Sequence, residues 1–243
     1  MNVYGLIGYP LGHSFSKQYF TEKFEKEQLK DCRFELYPLE NIEAFPQLIN
    51  AEIKGLAVTI PYKETVIPFL DHVDKTAAII GAVNCIKISA GKLTGYNTDS
   101  IGFERSLLPL LQASHTKALI LGSGGSSKAV QYILRKLAID FLVVTRNEFP
   151  AAGYIHYGSV DKNIIRQYSL IINCSPVGMF PNEAEKPAIP YQYLTEGHLL
   201  FDLIYRPAIT GFLSEGMKRG SMTKNGYEML VIQAEENWRR WNE

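Results

Sequence analysis

The chain has 243 residues and balances 25 Lys plus Arg against 25 Asp plus Glu, so it has no overall field to draw in nucleic acid or an anionic membrane. That length holds one large domain or two modest ones, each with its own core. Cys32, Cys85 and Cys174 are too scattered for a zinc site or a redox pair; with no basic-then-apolar leader and no segment suited to a bilayer, the expectation is a soluble cytoplasmic protein without a metal.

Val3 to Gly8 reads as a buried opening strand and Tyr9 to His13 as the turn after it. His13 would titrate there or simply be exposed. Ser14-Phe-Ser16 then opens a helix, with Phe15, Tyr19, Phe20 and Phe24 at roughly helical spacing. Two serines at a helix start are caps, or hydroxyls beside free N–H groups that grip a carboxylate. Phe34 to Tyr37 is a second strand, Ile42 to Ile49 a short helix and Gly55 to Ile60 a third strand stopped by Pro61. Alternation of this kind implies a mostly parallel sheet, whose ligands gather at the carboxyl ends of the strands, where Thr59 and Lys63 fall. A lysine there serves chemistry or is an ordinary solvated charge.

Residues 82–88 and 92–96 read as a hairpin around Ala90-Gly91. It brings Asn84 and Asn97-Thr98-Asp99 near strand ends. Asn-Thr-Asp is otherwise a turn with Asp99 capping a helix from Ile101 to Leu111. Ser114 to Thr116 then links to a second unit, with the boundary near Ser100 to Thr116.

That unit opens on Lys117-Ala-Leu-Ile-Leu-Gly122-Ser123-Gly124-Gly125-Ser126-Ser127. A short apolar strand breaks at a glycine turn, and a helix follows with Val130, Ile133, Leu134 and Leu137 on one face. This order exposes backbone N–H groups and a positive helix end, which suits a pyrophosphate. Gly122 and Gly124 fit the first two glycines of the dinucleotide fingerprint; Ser127 stands at the third, which requires only a small residue. The next strand ends in Thr145-Arg146 rather than in an acidic residue, and a guanidinium pairs with a 2′-phosphate. The cofactor expected is NADP(H), unless Arg146 is only a loop charge.

Beyond it lie a small helix from Asp161 to Tyr168, strands at Leu170 to Asn173 and Leu199 to Tyr205, and a helix from Thr210 to Lys218. The loop Cys174 to Pro181 covers a nicotinamide or is a plain connection. Asn225 with Glu228 makes a capping-box-like start to the last helix. Its buried face carries Leu230, Ala234, Trp238 and Trp241, beside a line of Met229, Gln233, Asn237 and Arg240.

Taken together, Ser14-x-Ser16, Val58-Thr-Ile-Pro-Tyr-Lys63, Gly81-Ala-Val-Asn84, Gly95-x-Asn-Thr-Asp99, Gly122-x-Gly-Gly125, Asn173-Cys-Ser-Pro-Val-Gly-Met179, Asp202-x-x-Tyr205-x-Pro207 and Gly226-x-x-Met-Leu-Val-x-Gln233 make the chain resemble the shikimate dehydrogenase family nearly end to end. The resemblance implies reversible reduction of 3-dehydroshikimate to shikimate with NADPH, by a monomer or homodimer. It implies two α/β domains: a mostly parallel substrate domain of residues 1–100 and 224–243, and a Rossmann-like NADP domain of residues 101–223. In the roles it implies, Ser14 and Ser16 hold the substrate carboxylate, while Thr59, Asn84, Tyr205 and Gln233 hold its hydroxyls and ring. Lys63 and Asp99 form the catalytic pair. Gly122, Ser123, Gly124, Gly125 and Ser126 cradle the pyrophosphate, Thr145 and Arg146 meet the adenosine ribose and its phosphate, and Leu203 and Gly226 lie near the nicotinamide.

The chemistry agrees with those roles, because reducing a ketone leaves an alkoxide that needs a proton and a nearby positive charge. A protonated Lys63 supplies both; Asp99 orients it. The chain departs from the family where a second basic residue usually follows Arg146, since Asn147-Glu148 stands there, which implies a weaker NADP preference. Quinate dehydrogenase activity is the nearest alternative; a folate-linked dehydrogenase and a non-catalytic NADP-binding sensor lie further off, and neither calls for the full set of serines, Lys63, Asp99 and Gln233.

Overall fold

The computed structural model describes residues 1–12, 14–148 and 151–243; the reading of His13 and part of the segment after Glu148 lie outside them. The chain divides into two compact units, Met1–Ile101 with Gln233–Glu243, and Gly102–Ile232.

In the first unit β1 (Asn2–Gly8), α1 (Phe15–Lys26), β2 (Cys32–Pro38), α2 (Phe45–Leu48), β3 (Ile53–Val58), β4 (His72–Val73), α3 (Lys75–Ile80), β5 (Cys85–Ser89) and β6 (Lys92–Tyr96) follow in order. They form one six-stranded sheet, β2-β1-β3-β5-β6-β4. β1 pairs parallel with both β2 and β3, whereas β5 is antiparallel to β3 and β6. The expected hairpin is there, turned by Ala90 and Gly91 at φ 50° and 75°, the pair of positive values that matches the twist of adjoining strands. β3 ends at Val58, two residues short of the expected Ile60, so Thr59 lies just past its carboxyl end. β4 has only two residues, too few for alternation to reveal it.

One face of this sheet buries Val3, Ile7, Phe45, Leu56, Val58 and Ile86. The other buries Tyr4, Phe20, Phe24 and Phe34 against Trp241, with Trp238 packed alongside. Tyr4 stacks on Trp241 with ring centroids 5.1 Å apart, and aromatic pairs of this kind contribute about 0.5–1.5 kcal/mol beyond their buried area. The fit requires Gly55, since a Cβ there would come within 2.2 Å of the Trp241 ring. These contacts hold the last eleven residues, Gln233–Glu243, in the first unit.

α4 (Asp99–Leu107) carries the chain into the second unit. It starts two residues earlier than expected and gives way at Pro109 to a short 3-10 turn. There follow β7 (Lys117–Leu121), α5 (Gly125–Lys136), β8 (Asp140–Thr145), β9 (Tyr154–His156), α6 (Lys162–Gln167), β10 (Leu170–Asn173), β11 (Leu199–Asp202), α7 (Gly211–Met217), β12 (Met222–Lys224) and α8 (Tyr227–Asn242). The sheet runs β12-β11-β10-β7-β8-β9, parallel throughout. Phe103, Val130, Ile133 and Leu134 cover one face; Ile165, Phe212 and Leu213 cover the other. This is the expected doubly wound, Rossmann-like layer. Residues 224–232, grouped with the first domain in the sequence reading, lie in the second unit. β12 pairs with β11 there, and Gly226 donates its N–H to the Ile204 carbonyl at 3.0 Å.

Asp202 ties the carboxyl edge of this sheet together. It is fully buried and accepts from Asn173 Nδ2 at 3.0 Å, the Ile204 N–H at 3.0 Å and Thr210 Oγ1 at 2.6 Å. Burial raises its carboxyl to about 6, although those three donors pull the other way. A raised folded value favours the neutral acid, so this group's contribution is complete below the unfolded value near 4 and fades as pH climbs through about 6. The stability advantage of the native chain over Asp202→Asn, which cannot titrate, should therefore widen by about 1 kcal/mol on going from about pH 7 to about pH 5. Urea unfolding of both proteins at the two pH values measures it; a constant or narrowing gap contradicts the assignment.

Among the described residues no helix is long and apolar enough to cross a membrane, and no group of three or more His, Cys, Asp or Glu is placed to hold a metal.

Candidate active site

Asn97 decides where Asp99 points. Its Oδ1 accepts the Ser100 N–H at 3.0 Å while its Nδ2 donates to the Ala82 carbonyl at 2.9 Å. Asn97 thus supplies the cap for α4, the role the sequence left open to Asp99. Released from capping, the Asp99 carboxylate accepts from Lys63 Nζ at 2.6 Å through Oδ2 and from Asn84 Nδ2 at 2.9 Å through Oδ1. The side chains of Lys63 and Asp99 are only 13% and 9% exposed, so solvent screens the pair far less than a surface salt bridge.

The backbone holds both partners. The Lys63 carbonyl accepts the Val83 N–H at 2.7 Å, and Asn84 is spliced into the sheet by Val58 N–H to its carbonyl at 2.8 Å and by its own N–H to Tyr96 at 3.0 Å. Gln233 enters from α8, its Oε1 at 3.4 Å from Asn84 Nδ2. A glutamine on the flank of an amphipathic helix would ordinarily face water; this one is 7% exposed, because α8 buries two adjacent lines of residues. The structure therefore brings Lys63, Asp99, Asn84 and Gln233 together inside the first unit. Thr59 sits at the carboxyl end of β3, its N–H donated to the Ile7 carbonyl at 2.9 Å. Ser14 caps α1, accepting the Lys17 N–H at 3.3 Å, which leaves its hydroxyl proton for an acceptor. Ser16 stands in the first turn of the same helix. Tyr205 follows β11 in the second unit.

Two polar residues of this cluster had no role in the sequence reading. Thr98 and Asn237 are each 1% exposed; Thr98 Oγ1 donates to Asn237 Oδ1 at 2.6 Å, and Asn237 Nδ2 donates to Gln233 Oε1 at 3.2 Å. The spacing of Asn237 four residues after Gln233 was the available signal.

In the second unit Gly122 leaves β7 at φ 109°, a region that costs L side chains but not glycine. A Cβ on it would also come within 3.1 Å of the Ser175 nitrogen. Gly124 caps α5, and nothing lies within 4 Å of the place its Cβ would take, so the start of α5 is not blocked on that side. Ser127, at the third fingerprint position, is fully buried as a small packing residue and accepts from Gln131 Nε2 at 3.1 Å. β8 lies parallel beside β7, Leu121 opposite Val144, so Thr145 and the exposed Arg146 emerge at the same edge as the turn. Gly226 lies on the backbone of Leu203, where a Cβ would approach the carbonyl oxygen to 2.1 Å. A glycine turn open at a helix start, with a guanidinium at the neighbouring strand tip, fits the pyrophosphate and 2′-phosphate of NADP(H).

The family model described as the shikimate dehydrogenase substrate binding domain matches residues 6–86. A shikimate dehydrogenase (NADP(+)) of Carboxydothermus hydrogenoformans is 38% identical in an alignment covering 98% of this chain and 90% of that one. The chain belongs to the shikimate dehydrogenase family. Among solved members, a shikimate 5-dehydrogenase of Thermus thermophilus in complex with NADP(H) and shikimate superposes with a TM-score of 0.86 at 29% identity, over 99% of this chain and 93% of that one. A quinate dehydrogenase of Corynebacterium glutamicum in complex with NAD also gives 0.86, at 25% identity over 99% and 93%. The motifs of the shikimate dehydrogenase family singled out in the sequence thus fall into two structural groups: the Lys63 cluster in one unit and the glycine cradle in the other.

Proposed function

We propose that this chain catalyses the reversible NADP(H)-dependent interconversion of 3-dehydroshikimate and shikimate, with Lys63 and Asp99 as its catalytic pair. The observation that carries the reading is the shielded 2.6 Å contact between Lys63 Nζ and the Asp99 carboxylate, itself held by Asn84. Neither half of the pair is needed as a cap or a surface charge, and a proton donor has no use in a protein that only binds.

When bound, NADPH supplies the hydride equivalent. Lys63 gives its proton to the oxygen of the substrate carbonyl as negative charge develops there, and its ammonium stabilises that charge before the transfer is complete. In the oxidising direction the neutral amine takes the hydroxyl proton back. Asp99 fixes the direction of the ammonium through Oδ2. Ser14 and Ser16 offer hydroxyl protons and a helix N-terminus to the substrate carboxylate; Thr59, Asn84, Tyr205 and Gln233 read its hydroxyls and ring. Gly122, Ser123, Gly124, Gly125 and Ser126 would hold the pyrophosphate, Thr145 and Arg146 the adenosine ribose and its phosphate, and Leu203 and Gly226 would lie near the nicotinamide. Such a small-molecule oxidoreductase, with its three cysteines in no disulfide, suits the cytoplasm.

The test follows NADPH absorbance with 3-dehydroshikimate and its formation from NADP+ with shikimate and with quinate. Turnover of shikimate well above quinate supports the reading. No turnover of either refutes it, and a preference for quinate moves the chain to the alternative substrate. Arg146→Ala should raise KM for NADPH about 10- to 100-fold and leave KM for NADH within about twofold, as loss of one charge-assisted phosphate contact requires. Equal effects on both cofactors remove Arg146 from the phosphate.

A further inference from the structure

We propose that Asn237 is a positioning residue that fixes the amide of Gln233 with its oxygen inward and its NH2 outward, so that Gln233 reads an oxygen of the substrate as a hydrogen-bond donor.

An amide can face either way, and the choice is decided by neighbours that can only donate or only accept. Here the sense propagates from a fixed origin. The Thr98 backbone N–H can only donate, and it gives its proton to Asn84 Oδ1 at 2.6 Å. That turns Asn84 Nδ2 towards the Asp99 carboxylate, which is ion-paired with Lys63 and can only accept, at 2.9 Å. The other Asn84 proton goes to Thr98 Oγ1, also at 2.9 Å. Having accepted there, the Thr98 hydroxyl places its own proton on Asn237 Oδ1 at 2.6 Å. The approach of Thr98 Oγ1 to Asn84 Oδ1 is longer, at 3.2 Å, and a hydroxyl has one proton to give.

With its oxygen committed, Asn237 presents Nδ2 to Gln233 Oε1 at 3.2 Å. Asn84 Nδ2 also lies 3.4 Å from the same oxygen, but both of its protons are already given, so the sense rests on Asn237. That donor favours the Gln233 oxygen where it is, which leaves Nε2 on the opposite side of the amide. Asn84, Thr98, Gln233 and Asn237 are each at least 93% buried, so a donor set against a donor, or an acceptor against an acceptor, is not relieved by water. The ordering therefore runs from the backbone of the Asn97-Thr-Asp99 turn to the side chain that meets substrate. Asn237 is the link between them.

This inference rests on the assignment of Gln233 to substrate binding, and the wild-type assay above checks that assignment's parent reading first. Given turnover of shikimate by the wild type, Asn237→Asp replaces the donor facing Gln233 with an acceptor and turns the amide over. KM for shikimate should rise at least about tenfold, with kcat within about threefold and KM for NADP+ unchanged. Asn237→Leu, similar in size and unable to direct the amide either way, should raise it less. In a Gln233→Ala background Asn237→Asp should change KM for shikimate by less than about twofold, because the residue through which it acts is gone.

A packing role would give the reverse pattern: penalties that add in the double variant, follow the melting temperature and spread over kcat and both Michaelis constants. That pattern overturns the proposal, as does an unchanged KM for shikimate in Asn237→Asp. Should the aspartate variant fail to fold, Asn237→Leu alone and combined with Gln233→Ala decides by the same non-additivity.

Discussion

Replacing Lys63 with alanine should lower kcat by about 10²- to 10⁴-fold while NADPH binding stays within about threefold of the native value. The range is that of a positioned general acid. The native lysine contributes two things at one atom, a proton and a charge; the variant keeps neither, and water entering the space must serve as a much weaker acid. NADPH affinity should hold because the glycine turn, Thr145 and Arg146 belong to the other compact unit. The fold should hold as well: the anchor at this position is the Lys63 carbonyl, which accepts from Val83 and is untouched by side-chain truncation. Stopped-flow turnover with 3-dehydroshikimate, alongside NADPH titration by fluorescence, separates the quantities. Equal losses in cofactor affinity and turnover would remove Lys63 from the chemistry and make it a determinant of cofactor binding.

The division of labour in that prediction was legible in the sequence where the physics is local. Alternating strands and helices announced a parallel sheet, and Gly122 and Gly124 announced a phosphate turn because only glycine tolerates the conformation at one and leaves the approach open at the other. The hairpin was visible because Ala90-Gly91 suits its turn. What stayed hidden depends on distant residues or on runs too short to show a period. β9 and β12 have three residues each, and their assignment rests on the strand beside them. The first unit reads from sequence as mostly parallel, and three of its five strand pairings are; the antiparallel β5–β6 pair is the expected hairpin, and what stayed hidden was that β5 also lies antiparallel beside β3.

The site shows the same limit. Lys63 and Asp99 are 36 residues apart, and composition alone could not pair them; the shared order of motifs did. Asn-Thr-Asp permits a cap by either its first or its third residue, and the choice of Asn97 followed from the Ala82 carbonyl lying within reach of its amide. A single-helix view would turn Gln233 to solvent, since nothing in α8 itself tells that its second line, with Met229 and Asn237, is also covered. Asp202 belonged to a recognised motif without a stated task. Its three donors show it to be a tie between β10, β11 and the start of α7 rather than a group that handles substrate.

Asp99→Asn should cost about 10²-fold or more in kcat with the fold retained, and the reasons for the two halves of that statement differ. The carboxylate faces two neighbours that only donate, the Lys63 ammonium and the Asn84 amide nitrogen. An asparagine can offer its oxygen to one of them; its NH2 then meets the other donor head-on. Either placement turns the ammonium away from the direction that the native pair imposes, or swings the Asn84 amide away from Asp99. The helix start does not depend on Asp99, because Asn97 supplies the cap, so the circular-dichroism melt should shift by no more than a few degrees. Combining the substitution with Lys63→Ala sharpens the test: residues acting as one unit give losses that do not add, and the double variant should be no slower than about threefold below Lys63→Ala alone. A collapsed melt for Asp99→Asn would make Asp99 a folding residue. Additive losses in the double variant would mean that Asp99 and Lys63 act on the substrate independently, and the pair would cease to be a pair.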